Sequence, residues 1–192
     1  MSKARAEAFS DGVFAVAATL LVFAIPTPAP NVALASALAG EWPSYAAYVI
    51  SFATILVIWV NHHTTLDAMS TFDRSLLFLN GFLLLTVAVI PFTTGVLARA
   101  LQSGHDQTAA TVAYGVSMSV MAVAFTVINA YAVTRHLFTT PFSLLGFSMG
   151  LLAYPLATVI ALFSYEVALA MYAATAIFYA AFPLIREAQL RR

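Results

Sequence analysis

The sequence predicts an all-α integral membrane protein with six transmembrane helices and almost no soluble part. Three observations carry this. Of 192 residues, 62% are hydrophobic and only 8% charged, whereas a soluble domain carries about 25% charged residues. The charges fall between long apolar runs and rarely inside them. The runs number six, and spans of about 20 residues each use most of the chain. A single membrane domain over residues 1–192 is therefore expected.

The first span reads from Arg5 to Ile25 and stops at Pro26, because Thr27-Pro28-Ala29-Pro30 cannot continue a helix. The second opens at Trp42-Pro43, where proline suits the first turn, and closes near His63. Trp42 and Trp59 are 17 positions apart, about 25 Å along a helix, so the two rings are expected near opposite interfaces. The third span covers 73–98, the fourth 108–133, the fifth 141–163 and the sixth 167–184.

Charge gives the orientation. With six spans, the termini share one side with the second and fourth connections. That side holds Lys3, Arg5, Arg74, Arg135, Arg186, Arg191 and Arg192, and the other holds only Arg99. Cytoplasmic loops are enriched in Lys and Arg, so both termini are expected in the cytoplasm. A rival reading takes the first span, followed by Ala33-Leu34-Ala35 and Ala37-Leu38-Ala39, as a cleavable signal peptide. Glu7 and Asp11 sit where such a peptide carries positive charge. The formal net charge is zero, which gives no hint of a nucleic-acid partner. Without cysteine there are no disulfides or thiolate metal sites, and no cofactor is implied.

The first helix carries the most unusual chemistry. It reads Arg5-Ala6-Glu7-Ala8-Phe9-Ser10-Asp11-Gly12 and then turns apolar. An ionisable residue inside a span costs about 2.5–3.5 kcal/mol even on the lenient insertion scale. Asp11, two turns in, should therefore face protein or water. Glu7 and Asp11 are four apart and repel each other, so both need donors. The expected donors for Asp11 are His62 or His63, Arg74, and Asn61 or Asn80. A structural clamp and a direct role in ion passage are both open. Gly12, Val16, Thr19, Leu20 and Phe23 recur at three- and four-residue steps and form one stripe. Periodicity alone reads this stripe as ordinary packing, helped by the small Ala15, Ala17 and Ala18.

Arg5-x-x-x-Phe9-Ser10-Asp11 resembles the signature of the transmembrane protein 175 family of potassium channels. Trp59-Val60-Asn61-His62-His63 closes the second span as in that family, Asp73-Arg74 opens the third, Asn80 follows, and Pro91-Phe92-Thr93 lies near its end. The resemblance covers the first half of the chain. It implies a homotetramer in the cell (inner) membrane, with four first helices lining a central pore and no re-entrant filter loop. It also implies that the pore narrows at an apolar residue, here Val16, with Thr19 just beyond and Leu20 and Phe23 continuing outward. The family's constriction is isoleucine or leucine, so valine is a departure. Arg5, Ser10 and Asp11 would tie the pore helix to the second and third helices.

Three motifs mislead. Gly146-Phe147-Ser148-Met149-Gly150 fits G-x-S-x-G but sits inside an apolar span, without the strand–turn–helix context of a hydrolase. Its glycines also form the G-x-x-x-G of packed membrane helices. Tyr114-Gly115 lacks the flanking residues of a potassium-channel filter loop. His62 and His63 point about 100° apart on a helix, so one metal cannot readily use both. The function expected is a potassium-preferring cation channel and not an enzyme. A small secondary transporter or proton-coupled carrier is the alternative, with Pro155 as its best support.

Overall fold

The computed structural model describes residues 3–28, 30–139 and 149–190, with the backbone alone for 182–190. Among the described residues seven α-helices form, and the isolated bridge between Met69 and Phe138 is the one β-type pairing.

Helix α1 covers Lys3–Leu20 and tightens into a 3-10 turn at Leu21–Ala24 just before Pro26. A short helix α2, Leu34–Gly40, follows in the first connection. It falls in the alanine-rich segment that the rival signal-peptide reading takes as the cleavage region. Helix α3 spans Trp42–Asp67 with Pro43 in its first turn. Helix α4 spans Arg74–Ser103. Asp73 caps its start by accepting from the Leu76 backbone N–H at 2.8 Å. Gly104 ends it in the left-handed conformation at φ 72°. Helix α5 spans Gln107–Thr134 and closes with His136 at φ 54°. There the Leu137 N–H reaches the Ala132 carbonyl at 2.9 Å and the His136 N–H reaches Val133 at 3.0 Å, a left-handed cap usually built on glycine. Helix α6 is Met149–Ile160 and α7 is Tyr165–Leu190.

Four helices, Lys3–Ala24, Trp42–Asp67, Arg74–Ser103 and Gln107–Thr134, are long and apolar enough to cross a membrane. Met149–Ile160 and Tyr165–Ala181 are shorter apolar helices. The start of the expected fifth span, 141–148, lies outside the described residues, as do Gly146, Phe147 and Ser148. Pro155 does not break α6, which runs continuously through it. Pro91 is well inside α4, because that helix continues five residues past the expected end at Ala98.

Helix α4 packs against α1, α3 and α5, and α6 lies between α5 and α7. The core along α4 is Leu76, Leu83, Leu84, Val87, Ile90 and Leu97, all buried. One end of the body is sewn together by backbone bonds. The Ser70 N–H reaches Leu137 O at 2.8 Å, and the Thr139 N–H reaches Ala68 O at 2.9 Å. The second and fourth connections therefore share that end, and Lys3 joins them by donating to Asp67 O and Met69 O.

Candidate functional site

Helix α1 has two unlike faces. Ala6, Ser10, Phe14, Ala17 and Leu21 are buried against the body. Gly12, Val16, Thr19, Leu20 and Phe23 are all exposed on the single chain, with Val16 at 57% and Phe23 at 81%. Gly12, Val16 and Leu20 border a groove that ends on Ala88 of α4, while Thr19 and Phe23 stand outside it. The Thr19 hydroxyl donates to its own helix, to Ala15 O at 3.0 Å and Val16 O at 2.9 Å. Its hydrogen is thus engaged, and the oxygen lone pairs remain to accept from water or meet a cation.

Two polar contacts tie α1 to the body, on successive residues. The first is a chain through Ser10. His62 Nε2 lies 2.7 Å from Asn80 Oδ1. Asn80 Nδ2 donates to Ser10 Oγ at 2.9 Å, and Ser10 Oγ donates to Ala6 O at 2.8 Å. His62, Asn80 and Ser10 are all buried, so α1, α3 and α4 meet in a dry hydrogen-bonded line. The His62 ring also packs on Phe14, with centroids 5.3 Å apart. The second contact is Trp59 Nε1 donating to Asp11 Oδ1 at 2.8 Å.

This corrects the expected partners of Asp11. None of His62, His63, Asn61, Arg74 and Asn80 bonds to it among the described residues, and the donor is Trp59. Ser10 takes the direction toward α4, and Asp11, about 100° further round, meets the outer side of α3. Trp59 is half-buried and engaged by this bond, and Trp42 at the other end of α3 is 68% exposed. The remaining residues separate. His63 is exposed, stacks on Trp59 and pairs with Asp67 at 3.2 Å. Asn61 faces α5 and α6, beside Phe125 and Tyr154. Arg74 lies in an outer groove with Phe9 and Phe78. Arg5 is exposed and makes no hydrogen bond or ion pair among the described residues, unlike Ser10 and Asp11. Glu7 is answered from its own helix by Lys3, at 3.6 Å.

Asp73 belongs to a different junction. The Leu76 backbone N–H and then the Tyr131 hydroxyl, at 2.7 Å, hold its carboxyl below the ordinary range, just ahead of α4. Tyr114 and Gly115 are core. Tyr114 is buried with its hydroxyl 3.1 Å from Ser51 Oγ, and Gly115 makes room for the Tyr172 hydroxyl. Sequence reading missed Trp59 as a donor and Lys3 as the partner of Glu7. The second was legible in the i, i+4 spacing. It also missed Glu41, which is buried and accepts from Ser44 and from Gln102 of α4.

This is a helical membrane protein whose first helix is keyed into the body on one side and left uncovered on the other. Residues 5–91 match the model of the endosomal/lysosomal potassium channel TMEM175 family. A potassium channel of Streptomyces collinus is 39% identical over 185 residues, 91% of this chain and 90% of that one. The chain therefore belongs to the TMEM175 family, a family of ion channels and not of enzymes. The crystal structure of a lysosomal potassium-selective channel TMEM175 homolog from Chamaesiphon minutus superposes with a TM-score of 0.82 at 34% identity, covering 93% of this chain and 96% of that one. The endosomal/lysosomal proton channel TMEM175 of Homo sapiens is 37% identical over 101 residues, 20% of its length.

Proposed function

We propose that four copies of this chain surround a pore lined by α1 and form a potassium-preferring cation channel of the cell (inner) membrane. Each chain contributes one domain of six transmembrane helices with both termini cytoplasmic. The observation that carries this reading is the exposed face of α1, which a carboxylate flanks on the side of α3. Asp11 is exposed on the single chain and lies two turns into an apolar helix. Lipid would charge about 2.5–3.5 kcal/mol for it, so this face turns toward other copies and water. The stripe centred about 120° round the helix from it, Gly12, Val16, Thr19, Leu20 and Phe23, then lines the axis.

Val16 makes the narrow ring. Isopropyl groups offer water no hydrogen bonds, so such a ring can empty and block ions without a plug. No acidic ring lies on the stripe above Asp11, so attraction of charge does not choose among cations. An apolar neck penalises ions that hold water tightly. Sodium holds it more tightly than potassium, which gives moderate potassium preference. Basic residues gather where Lys3, Arg74 and Arg135 adjoin the second and fourth connections, which supports a cytoplasmic position for that end. The test is planar-bilayer recording under opposed potassium and sodium gradients, with subunits counted by native mass spectrometry. A sodium-preferring or anionic reversal potential, or a monomer or dimer as the largest species, refutes the reading.

A further inference from the structure

A cavity of about 460 Å³ opens at the end of the body opposite the Ser70–Leu137 junction, between α3, α4, α5 and α7. It is separate from the α1 stripe and shares none of its residues. Its size falls in the range of small-molecule sites, about 300–1,000 Å³. The walls are apolar, chiefly Ala46, Ile50, Leu97, Leu169 and Ala173. At its base lie the rings of Tyr114 and Tyr172, with centroids 5.4 Å apart. Their hydroxyls are turned to Ser51 at 3.1 Å and Thr158 at 3.2 Å, so the base offers ring carbon rather than polar groups. The mouth carries Trp42, Tyr165 and Glu166.

Charge decides what such a cavity suits. Glu166 is the sole charged residue among those that line it. Ser164 donates to it at 2.9 Å, but no cation pairs with it among the described residues. An aromatic rim beside an unpaired carboxylate is the chemistry that recognises an ammonium head group. A deep apolar wall with satisfied polar atoms suits an alkyl tail. We propose that this cavity binds an amphiphilic organic cation of the single-tailed alkylammonium class, tail inward, with the head group held by Glu166 and the ring of Trp42.

The experiment measures equilibrium binding of radiolabelled decyltrimethylammonium to the full-length protein in phosphatidylglycerol nanodiscs. Empty nanodiscs give the background from bilayer partition. Saturable binding at one site per chain is expected. Glu166→Gln should weaken it about tenfold, equivalent to about 1.4 kcal/mol, and Ala173→Phe should fill the cavity and abolish it. Tetramethylammonium, a head without a tail, should compete poorly, and decyl sulfate, a tail with the wrong charge, should not compete above background. Both variants should keep wild-type assembly and potassium flux, since neither residue touches α1. Uptake equal to empty nanodiscs, or equal in wild type and Glu166→Gln, overturns the proposal. Equal competition by decyl sulfate also overturns it. Loss of binding on adding phosphatidylethanolamine would assign the site to a two-chain lipid instead and overturn the single-tailed class.

Discussion

Replacing Asn80 by leucine tests whether the line His62–Asn80–Ser10 sets the place of α1. Asn80 is 4% exposed and makes two interhelical bonds, one toward α3 and one toward α1. Hydrogen bonds between membrane helices average only about 0.6 kcal/mol by double-mutant cycles, so the bonds themselves account for about 1.2 kcal/mol. Stranding a buried partner costs more. If Nε2 carries the proton, His62 is left with a buried donor and no acceptor, at a penalty of about 1–3 kcal/mol. Ser10 loses only an incoming bond, since its own hydrogen still goes to Ala6 O. The total is about 2–4 kcal/mol, and the stranded histidine dominates it.

The assay is thermal loss of the assembled species, followed by size-exclusion fluorescence. At about 2–4 °C per kcal/mol for a chain of this size, Asn80→Leu should lower the midpoint by about 5–15 °C. The decisive variant is the double substitution. His62→Phe in the Asn80→Leu background removes the stranded donor and keeps a ring against Phe14, 5.3 Å away. It should recover much of the loss, because replacing both partners by apolar groups can be nearly neutral. A double variant as damaged as the sum of the singles would refute the reasoning, as would Asn80→Leu melting with wild type.

Four further outcomes follow from the same geometry. Val16→Ala should widen the neck, raise current and weaken potassium preference, and Val16→Ile should narrow it, both read under one potassium–sodium gradient. No change in either variant would reduce the stripe to packing. Trp59→Phe leaves Asp11 without its donor and should reduce assembly on native gels, with Asp11→Asn the milder variant because an amide oxygen still accepts from the indole. Gly115→Ala would place a Cβ 1.9 Å from the Tyr172 hydroxyl and 2.3 Å from Thr158 Oγ1; overpacking of this kind costs about 1–3 kcal/mol, to be read as a lower melting midpoint. Asp73 contributes stability above its ordinary pKa of 3.8 and loses it as pH falls through its depressed folded value. The melting difference between wild type and Asp73→Asn should therefore be full near neutrality and shrink in acid.

Much of the fold was legible because this sequence punctuates itself. Pro26, Pro43 and Asp73 each stand at a helix boundary. Ends drifted where polar residues pair along the helix. Helix α3 continues four residues past His63 to Asp67, and His63 pairs with Asp67 at 3.2 Å. Helix α2 was missed because seven small and apolar residues carry no periodic face. The candidate site was legible as a set and not as pairs. Spacing assigns a residue to a face of its own helix, and adjacent His62 and His63 did divide between buried and exposed. It says nothing about the height and rotation of one helix against another. For that reason Asn80 went to Ser10 and Trp59 went to Asp11.

That pairing limits how the proposed gate can move. Ser10 is tied to α4 and Asp11 to α3, so two neighbouring residues fix both the height and the rotation of α1. Rotating the whole helix to carry Val16 off the axis must break at least one of these bonds in every chain. Valine's branched side chain is stiff in a helix, so rotation about χ1 does not open the ring either. Tilting costs less. Val16 lies six residues beyond Ser10, about 9 Å along the axis. A tilt of about 10° about the polar cluster moves each Val16 outward by about 1.5 Å on that lever, with both bonds kept. Above Val16 the helix is held by Ala17, Leu21 and Ala24 through apolar contact, and Leu21–Ala24 is already wound as a 3-10 turn. Opening by tilt therefore uses the apolar, less directional half of α1 and leaves the polar half as its pivot.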